Sequence, residues 1–316
     1  MMIAFYVHDL SPFLIRLGEG FGIRWYGLAY ILAFLFGTLL YRYLAKQGYS
    51  DLRPEEVTDF ITWGAFFGVV LGGRLGYMIF YDWDHFIENP LLFFRVWEGG
   101  MSSHGGILGL MLYSLWYARV HHLSWLNLGD NLVVVAPIGL FLGRCANFIN
   151  GELFGRATTV SWAVQFPKEL TFLPPGFVLA TLEKTAAINP KFSTVNAVVE
   201  GVSSSTPLHD YLATILTPRY PSQLLEALLE GVLLFTLLWV LRTCYRLPNG
   251  VLTGVFFIAY ALLRIAGETF REPDAPLIGF FTRGEFFSFF LILIGIGFLV
   301  AAFLKTNRAP LDIKRI

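Results

Sequence analysis

The sequence predicts an all-α polytopic membrane protein of about seven transmembrane helices, with a small extracytoplasmic arm or head. Two observations carry that expectation. Of 316 residues, 55% are apolar and only 15% charged, where a soluble domain carries about a quarter; 31 Phe and 8 Trp are too many for a soluble core of this size. Apolar runs also recur at close to the length of about 20 residues that a helix needs to cross a bilayer.

In order, the expected spans are Trp25–Tyr43, Phe60–Tyr81, Gly105–Val120, Leu128–Ile149, Gln223–Arg242, Val251–Thr269 and Glu285–Leu304. The first run lacks a basic start and a small-residue cleavage site, so it reads as a span rather than a cleavable signal peptide. The third is short and reads as tilted or partly re-entrant. Residues 1–316 are expected to form a single membrane domain, with residues 156–221 inserted between spans four and five as an extracytoplasmic arm. In that insertion Trp162–Phe166 alternates like a short strand, and Pro167, Pro174, Pro175, Pro207 and Pro218 interrupt any long helix. It is expected to rest on the membrane surface.

Lys and Arg in the short loops set the expected orientation. Arg42, Lys46, Arg53, Arg119, Arg242, Arg246, Lys305, Arg308, Lys314 and Arg315 fall on one side, against Arg16, Arg24, Arg95, Arg271 and Arg283 on the other. This bias puts the N-terminus outside and the C-terminus in the cytoplasm. Small residues four apart (Gly64, Gly68 and Gly72; Gly139 and Gly143; Gly250 and Gly254) suggest close helix packing.

Several function classes recede on composition. Basic and acidic residues balance at 23 each, which argues against a nucleic-acid surface. Two cysteines give neither a disulfide framework nor a Cys-x-x-Cys metal pair. The six His offer no pair at helical spacing for a metal or haem. Cys145 reads as a small apolar packing residue rather than a nucleophile.

The informative residues are those a membrane penalises. An Arg at a helix centre costs roughly 2.5–3.5 kcal/mol even on the lenient insertion scale, yet Arg74, Arg144 and Arg264 all fall within expected spans. Tyr260, Arg264 and Glu268 sit four apart and share a face, with Arg271 a turn further on. Arg144 and Asn147 sit three apart, and Asn150 and Glu152 follow near the helix end. Gln223, Glu226 and Glu230 line one face of the fifth span. Two readings compete for these groups: interhelical clamps such as Arg264 with Glu268, or an anion-binding site. His104, flanked by glycines in Gly99–Gly106, is a helix-end or interfacial hydrogen bonder, a proton acceptor for a thiol, or a group that orients a headgroup.

The run Gly143–Arg144–Cys145–Ala146–Asn147–Phe148–Ile149–Asn150–Gly151–Glu152–Leu153–Phe154–Gly155 resembles the signature of the prolipoprotein diacylglyceryl transferases of bacterial inner membranes. Supporting segments run in family order along nearly the whole chain: Arg24–Gly27, Gly72–Tyr77, His104–Gly106, Pro221–Leu224 and Arg271–Asp274. Ser103 stands where the family usually has Phe, Tyr220 and Leu225 where it often has His and Tyr, and Glu285 where Gln is common.

The resemblance implies transfer of a diacylglyceryl group from phosphatidylglycerol to the lipobox cysteine of a prolipoprotein, with glycerol phosphate leaving. It implies His104, Arg144, Arg264 and Tyr26 as catalytic positions, and Arg144, Asn147, Asn150, Glu152, Gly155, Tyr260 and Glu268 as substrate-binding ones. No metal or cofactor is expected, because guanidinium groups supply the positive charge and no carboxylate cluster of the magnesium type is apparent. The rival readings are an anion or lipid transporter and a structural subunit of a membrane complex. Repeat symmetry would favour the transporter, and none is apparent in the sequence.

Overall fold

A computed structural model describes residues 5–18, 21–95, 99–273, 277 and 279–308. Asp274, Lys314 and Arg315, used in the sequence reading, lie outside the described residues.

Among the described residues, six helices are long and apolar enough to cross a membrane: α1 (Trp25–Lys46), α2 (Val57–Tyr81), α5 (Trp125–Ile149), α9 (Ser222–Cys244), α10 (Val251–Glu268) and α11, whose apolar part is Arg283–Leu304. A short α3 (Trp83–Glu88) follows α2. The expected third span is helical as α4 (Ser103–Val120), but its glycine-rich, polar beginning keeps it outside the apolar set. Outward-facing aromatic and aliphatic side chains are what lipid contact requires; Phe80, Trp116 and Leu293 are each more than half exposed. Both α2 and α9 contain a π-helical stretch, Gly64–Val70 and Ala227–Leu233. Such widened turns recur at functional sites.

The chain divides into two compact units. One comprises the described residues within Phe34–Ala136, Leu238–Phe256 and Gly295–Ile316. Its best-defined contact is α2 against α4. A Cβ on Gly68 would lie 2.7 Å from the Leu110 Cα, on Gly72 2.7 Å from the Gly105 carbonyl oxygen, and on Gly76 2.6 Å from the Gly105 Cα. Only glycine permits such backbone approach. Elsewhere in this unit Asp130, 1% exposed, accepts from the backbone N–H groups of Gly250 and Thr253, both at 2.8 Å, and from the Thr253 hydroxyl at 2.7 Å. It thereby satisfies donors at the start of α10 that would otherwise be orphaned.

The other unit comprises the described residues within Met1–Ala33, Pro137–Leu237 and Phe257–Ile294. Here the 156–221 insertion forms α6 (Pro175–Ile188), α7 (Val195–Gly201) and α8 (Thr206–Ile215). Their core gathers Val7, Leu170, Phe192, Val198, Val202, Leu208, Leu212 and Leu216. The alternation read at Trp162–Phe166 yields a two-residue strand, β4 (Val164–Gln165). It lies between β1 (Tyr6–Val7), parallel, and β5 (Pro218–Arg219), antiparallel. A separate hairpin pairs β2 (Phe13–Gly18) with β3 (Phe21–Arg24) just before α1. In α6 the usual polarity is inverted: Thr181 and Thr185 are buried while Phe177 and Leu179 face outward.

The remaining glycine pairs differ from one another. Gly254 does pack closely, its Cβ position 2.8 Å from the Gly295 carbonyl oxygen, and Gly250, at φ +99°, makes a turn. Gly139 and Gly143 do not bring helices together: a Cβ on Gly139 would meet only the Ala33 Cβ at 3.7 Å, and one on Gly143 would meet open space. Gly68→Ala should therefore lower the thermal unfolding midpoint of the detergent-solubilised protein by the equivalent of about 1–3 kcal/mol of overpacking. Gly143→Ala should leave that midpoint unchanged or raise it, since Ala outranks Gly in a helix.

His8, just after β1, is wedged between the Phe148 and Phe166 rings at centroid distances of 5.5 and 5.4 Å. Its Nε2 has no hydrogen-bond partner among the described residues. Burial lowers its pKa below the usual imidazole range by disfavouring the charged form. The unfolded chain binds the extra proton more readily, so the packing is fully stable above the unfolded pKa of about 6.5 and weakens as pH falls below it. Limited proteolysis of the 156–221 region should accelerate between pH 7.5 and 5, and His8→Phe should blunt that acceleration.

Candidate active site

The end of α5 folds its own signature back on itself. Gly151, at φ +64°, and Leu153, at φ +57°, turn the chain sharply after the last helical turn, and the Glu152 N–H still reaches the Asn147 carbonyl at 3.1 Å. The Glu152 side chain consequently lies over the helix end. Its Oε1 accepts from the Tyr26 hydroxyl at 2.5 Å and from Asn147 Nδ2 at 3.1 Å, while Asn147 Nδ2 also bonds the Tyr26 hydroxyl. Tyr26, Asn147 and Glu152 thus form a closed triangle from two segments of the sequence. Gln223, fully buried, donates to the Glu152 backbone carbonyl at 2.6 Å. Lys168 approaches the other Glu152 oxygen at 3.9 Å.

Beside this triangle, a ladder of arginines and glutamates links α5, α9 and α10. Glu226 and Glu230, both 0% exposed, stand one above the other on α9. Arg144 on α5 bonds Glu230 Oε2 through Nη2 at 2.9 Å and Nε at 3.1 Å, and pairs with Glu226 Oε2 at 2.9 Å. Arg264 on α10 donates from Nη1 to Glu226 Oε1 at 2.6 Å and Glu230 Oε1 at 3.3 Å, and pairs with Glu268 through Nη2. Arg271 adds a third guanidinium to Glu226 Oε1 at 3.3 Å. Each central carboxylate therefore bridges two helices besides its own. Among the described residues, three guanidiniums meet three carboxylates in the ladder.

Local packing allows this. A Cβ on Gly231 of α9 would lie 2.6 Å from the Phe141 Cβ of α5, which draws Arg144, one turn further along, against the acidic face of α9. On the α10 side, a Cβ on Gly267 would lie 3.4 Å from the Glu226 Cγ. Removing one partner from such a buried network typically costs roughly 3–5 kcal/mol.

Gly155 serves the backbone. Its N–H bonds the Tyr220 carbonyl at 2.9 Å, and the next N–H, of Arg156, bonds the Phe270 carbonyl at 2.9 Å. A Cβ there would fall 2.5 Å from the Phe270 oxygen and 2.6 Å from the Tyr220 oxygen. The signature therefore runs from the helix end into a junction of three chain segments. Arg219 reinforces that junction by bonding the Gly155 carbonyl at 3.2 Å and Glu169 at 2.6 Å.

Set against the sequence reading, the structure gathers Tyr26, Arg144, Asn147, Glu152, Gly155, Arg264 and Glu268 in one unit. Tyr260 lies one turn before Arg264 on α10 in that unit, and Asn150 is buried there with Oδ1 unbonded among the described residues. His104 sits in the first turn of α4, its side chain exposed, in the other unit. Arg74 is also in that other unit. Its five N–H donors meet five backbone carbonyls, those of Leu92, Phe93, Arg95, Gly99 and Gly100, which makes it a loop-holding residue. Arg264 and Glu268 do not form an interhelical clamp, because they lie four apart on α10 and pair within it; the clamping between helices is done by Glu226 and Glu230. The ladder's carboxylates, Glu226, Glu230 and Glu268, are each engaged by a guanidinium. The Gln223/Glu226/Glu230 row was visible as a helix face, but nothing in the sequence marked it as the hub.

The family profile described as prolipoprotein diacylglyceryl transferase matches residues 12–301. A phosphatidylglycerol–prolipoprotein diacylglyceryl transferase of Bdellovibrio bacteriovorus is 39% identical, over 93% of each chain. Similarly named proteins are 39% identical in Bradyrhizobium diazoefficiens, over 96% of this chain and 95% of the relative, and 37% identical in Coxiella burnetii, over 92% and 94%. With a match of this extent to both the family and its individual members, the chain belongs to the prolipoprotein diacylglyceryl transferase family.

Proposed function

We propose that this protein transfers the diacylglyceryl group of phosphatidylglycerol to the lipobox cysteine of a prolipoprotein, the first step of lipoprotein maturation. The observation that carries this reading is a pair of guanidiniums, Arg144 and Arg264, fixed among membrane helices beside the Tyr26–Asn147–Glu152 triangle. An anionic lipid ester is a ligand that such a site can draw from the bilayer itself. Two donors of Arg144, on Nε and Nη2, are hydrogen-bonded to Glu230, and Nη1 is paired with Glu226 by charge, leaving part of its five-donor fork for phosphate oxygens.

In the reaction, the cysteine thiol loses its proton and the thiolate attacks the glyceryl carbon. The carbon–oxygen bond to phosphate breaks, a thioether forms, and glycerol phosphate departs with the bonding electrons. Arg144 and Arg264 stabilise the charge that develops on the leaving phosphate. Tyr26, Asn147 and Glu152, with the unused acceptors Asn150 Oδ1 and Gln223 Oε1, suit the hydroxyls of a glycerol headgroup. His104 accepts the thiol proton. Glu268 holds the orientation of Arg264, Tyr260 lies beside it on α10 as a substrate-binding position, and Gly155 holds the backbone around the signature.

The protein is a multi-pass protein of the inner membrane. The loop-charge bias supports an N-terminus outside and a C-terminus in the cytoplasm. Residues 156–221 form an extracytoplasmic arm within one membrane domain, and the outward Phe177 and Leu179 of α6 suit contact with the lipid surface.

Purified Arg144→Ala and Arg264→Ala should each lose about 10²–10³-fold in rate, read as the mass gain on the cysteine of a lipobox peptide supplied with phosphatidylglycerol. The Lys variants should recover only part of it, because lysine keeps the charge but not the planar fork. Full activity in both Ala variants would refute the assignment. His104→Gln should flatten the acid limb of the pH–rate profile, and an unchanged profile removes the base role.

A further inference from the structure

The ladder poses a physical problem. A site that binds an anionic headgroup is expected to carry net positive charge, yet Glu226 and Glu230 cancel the very guanidiniums that would bind it. Both carboxylates are completely buried, and charges are normally placed there only at considerable cost. Charge neutralisation alone could have been achieved with one acid per arginine. Instead each acid touches both arginines: Glu226 reaches Arg144 at 2.9 Å and Arg264 at 2.6 Å, and Glu230 reaches them at 2.9 and 3.3 Å. The two guanidiniums are thereby fixed relative to each other, while their side chains remain 15% and 14% exposed.

Resting on the transferase reading above, we propose that Glu226 and Glu230 are positioning residues that tune the arginine pair so that it binds the lipid phosphate weakly and lets glycerol phosphate go. The substrate diester carries one negative charge, and the leaving monoester gains a second as the carbon–oxygen bond breaks. Two unopposed guanidiniums in a medium of low effective dielectric would hold that product far more tightly than the substrate. Turnover would then be limited by product release, as in many enzymes. The carboxylates act as internal competitors for the same N–H groups and re-form their pairs as the product leaves. Arg271 has the opposite influence, because it draws on Glu226 Oε1 at 3.3 Å and so weakens that competition.

The test uses the full-length protein in phosphatidylglycerol-containing nanodiscs with a lipobox peptide, measuring kcat, KM for phosphatidylglycerol and inhibition by free glycerol phosphate. In Glu226→Gln and Glu230→Gln, KM and the inhibition constant for glycerol phosphate should both fall about tenfold or more while kcat falls. Each Asp variant should move back toward the wild type. Arg271→Gln should shift KM and the inhibition constant upward, which keeps the idea testable if a Gln variant does not fold. Tightening absent in the Gln variants that fold, or an Arg271→Gln shift in the same direction as theirs, overturns the proposal. Lack of any peptide mass gain with the wild-type protein would instead overturn the transferase reading on which it rests.

Discussion

Two glutamates with no exposure to solvent hold arginines from two other helices, and the rest of the site is arranged around that bond set. In water such pairs contribute little. Among membrane helices the alternative for each charge is far worse, so the network dictates which faces of α5, α9 and α10 must meet. It tolerates no slippage, because a displaced helix would leave an uncompensated charge inside. A single geometry for Arg144 and Arg264 follows, as preorganised charge stabilisation requires.

Small residues make that geometry reachable. Gly231 admits Phe141, and Gly267 lies against the Glu226 stem, so three helices approach closely enough for side chains of ordinary reach to interlock. In the other unit the same device works without any charge, where α2 and α4 touch backbone to backbone through Gly68, Gly72, Gly76 and Gly105. Glycine is thus used for approach in both places, and around α9 the approach brings charged side chains of three helices together.

The signature segment joins two tasks that its pattern does not separate. Arg144, Asn147 and Glu152 present polar groups to one another and to neighbouring helices. Gly151 and Gly155 shape the backbone so that this is possible, the first by a positive φ and the second by admitting the Phe270 and Tyr220 carbonyls. Through Gly155, Arg156 and Arg219 the signature is continuous with the strand and loop that begin and end the 156–221 insertion.

Membrane class, the order of the spans and the list of polar residues inside them were legible in the sequence, because lipid imposes length and apolarity on every helix and penalises each exception individually. The signature run made the family recognisable for the same reason: its residues are local in the chain. What only the tertiary structure decided is which exception pairs with which. Arg74 and Arg144 look alike in sequence, yet one is spent on five loop carbonyls and the other on two glutamates. Glu226 and Glu230 read as an ordinary polar face until α5 and α10 are brought against it, and Gly143 looked like a packing glycine until its surroundings proved open. Partner choice depends on distances between segments 34 to 86 residues apart, and periodicity along one helix carries no information about what stands across from it.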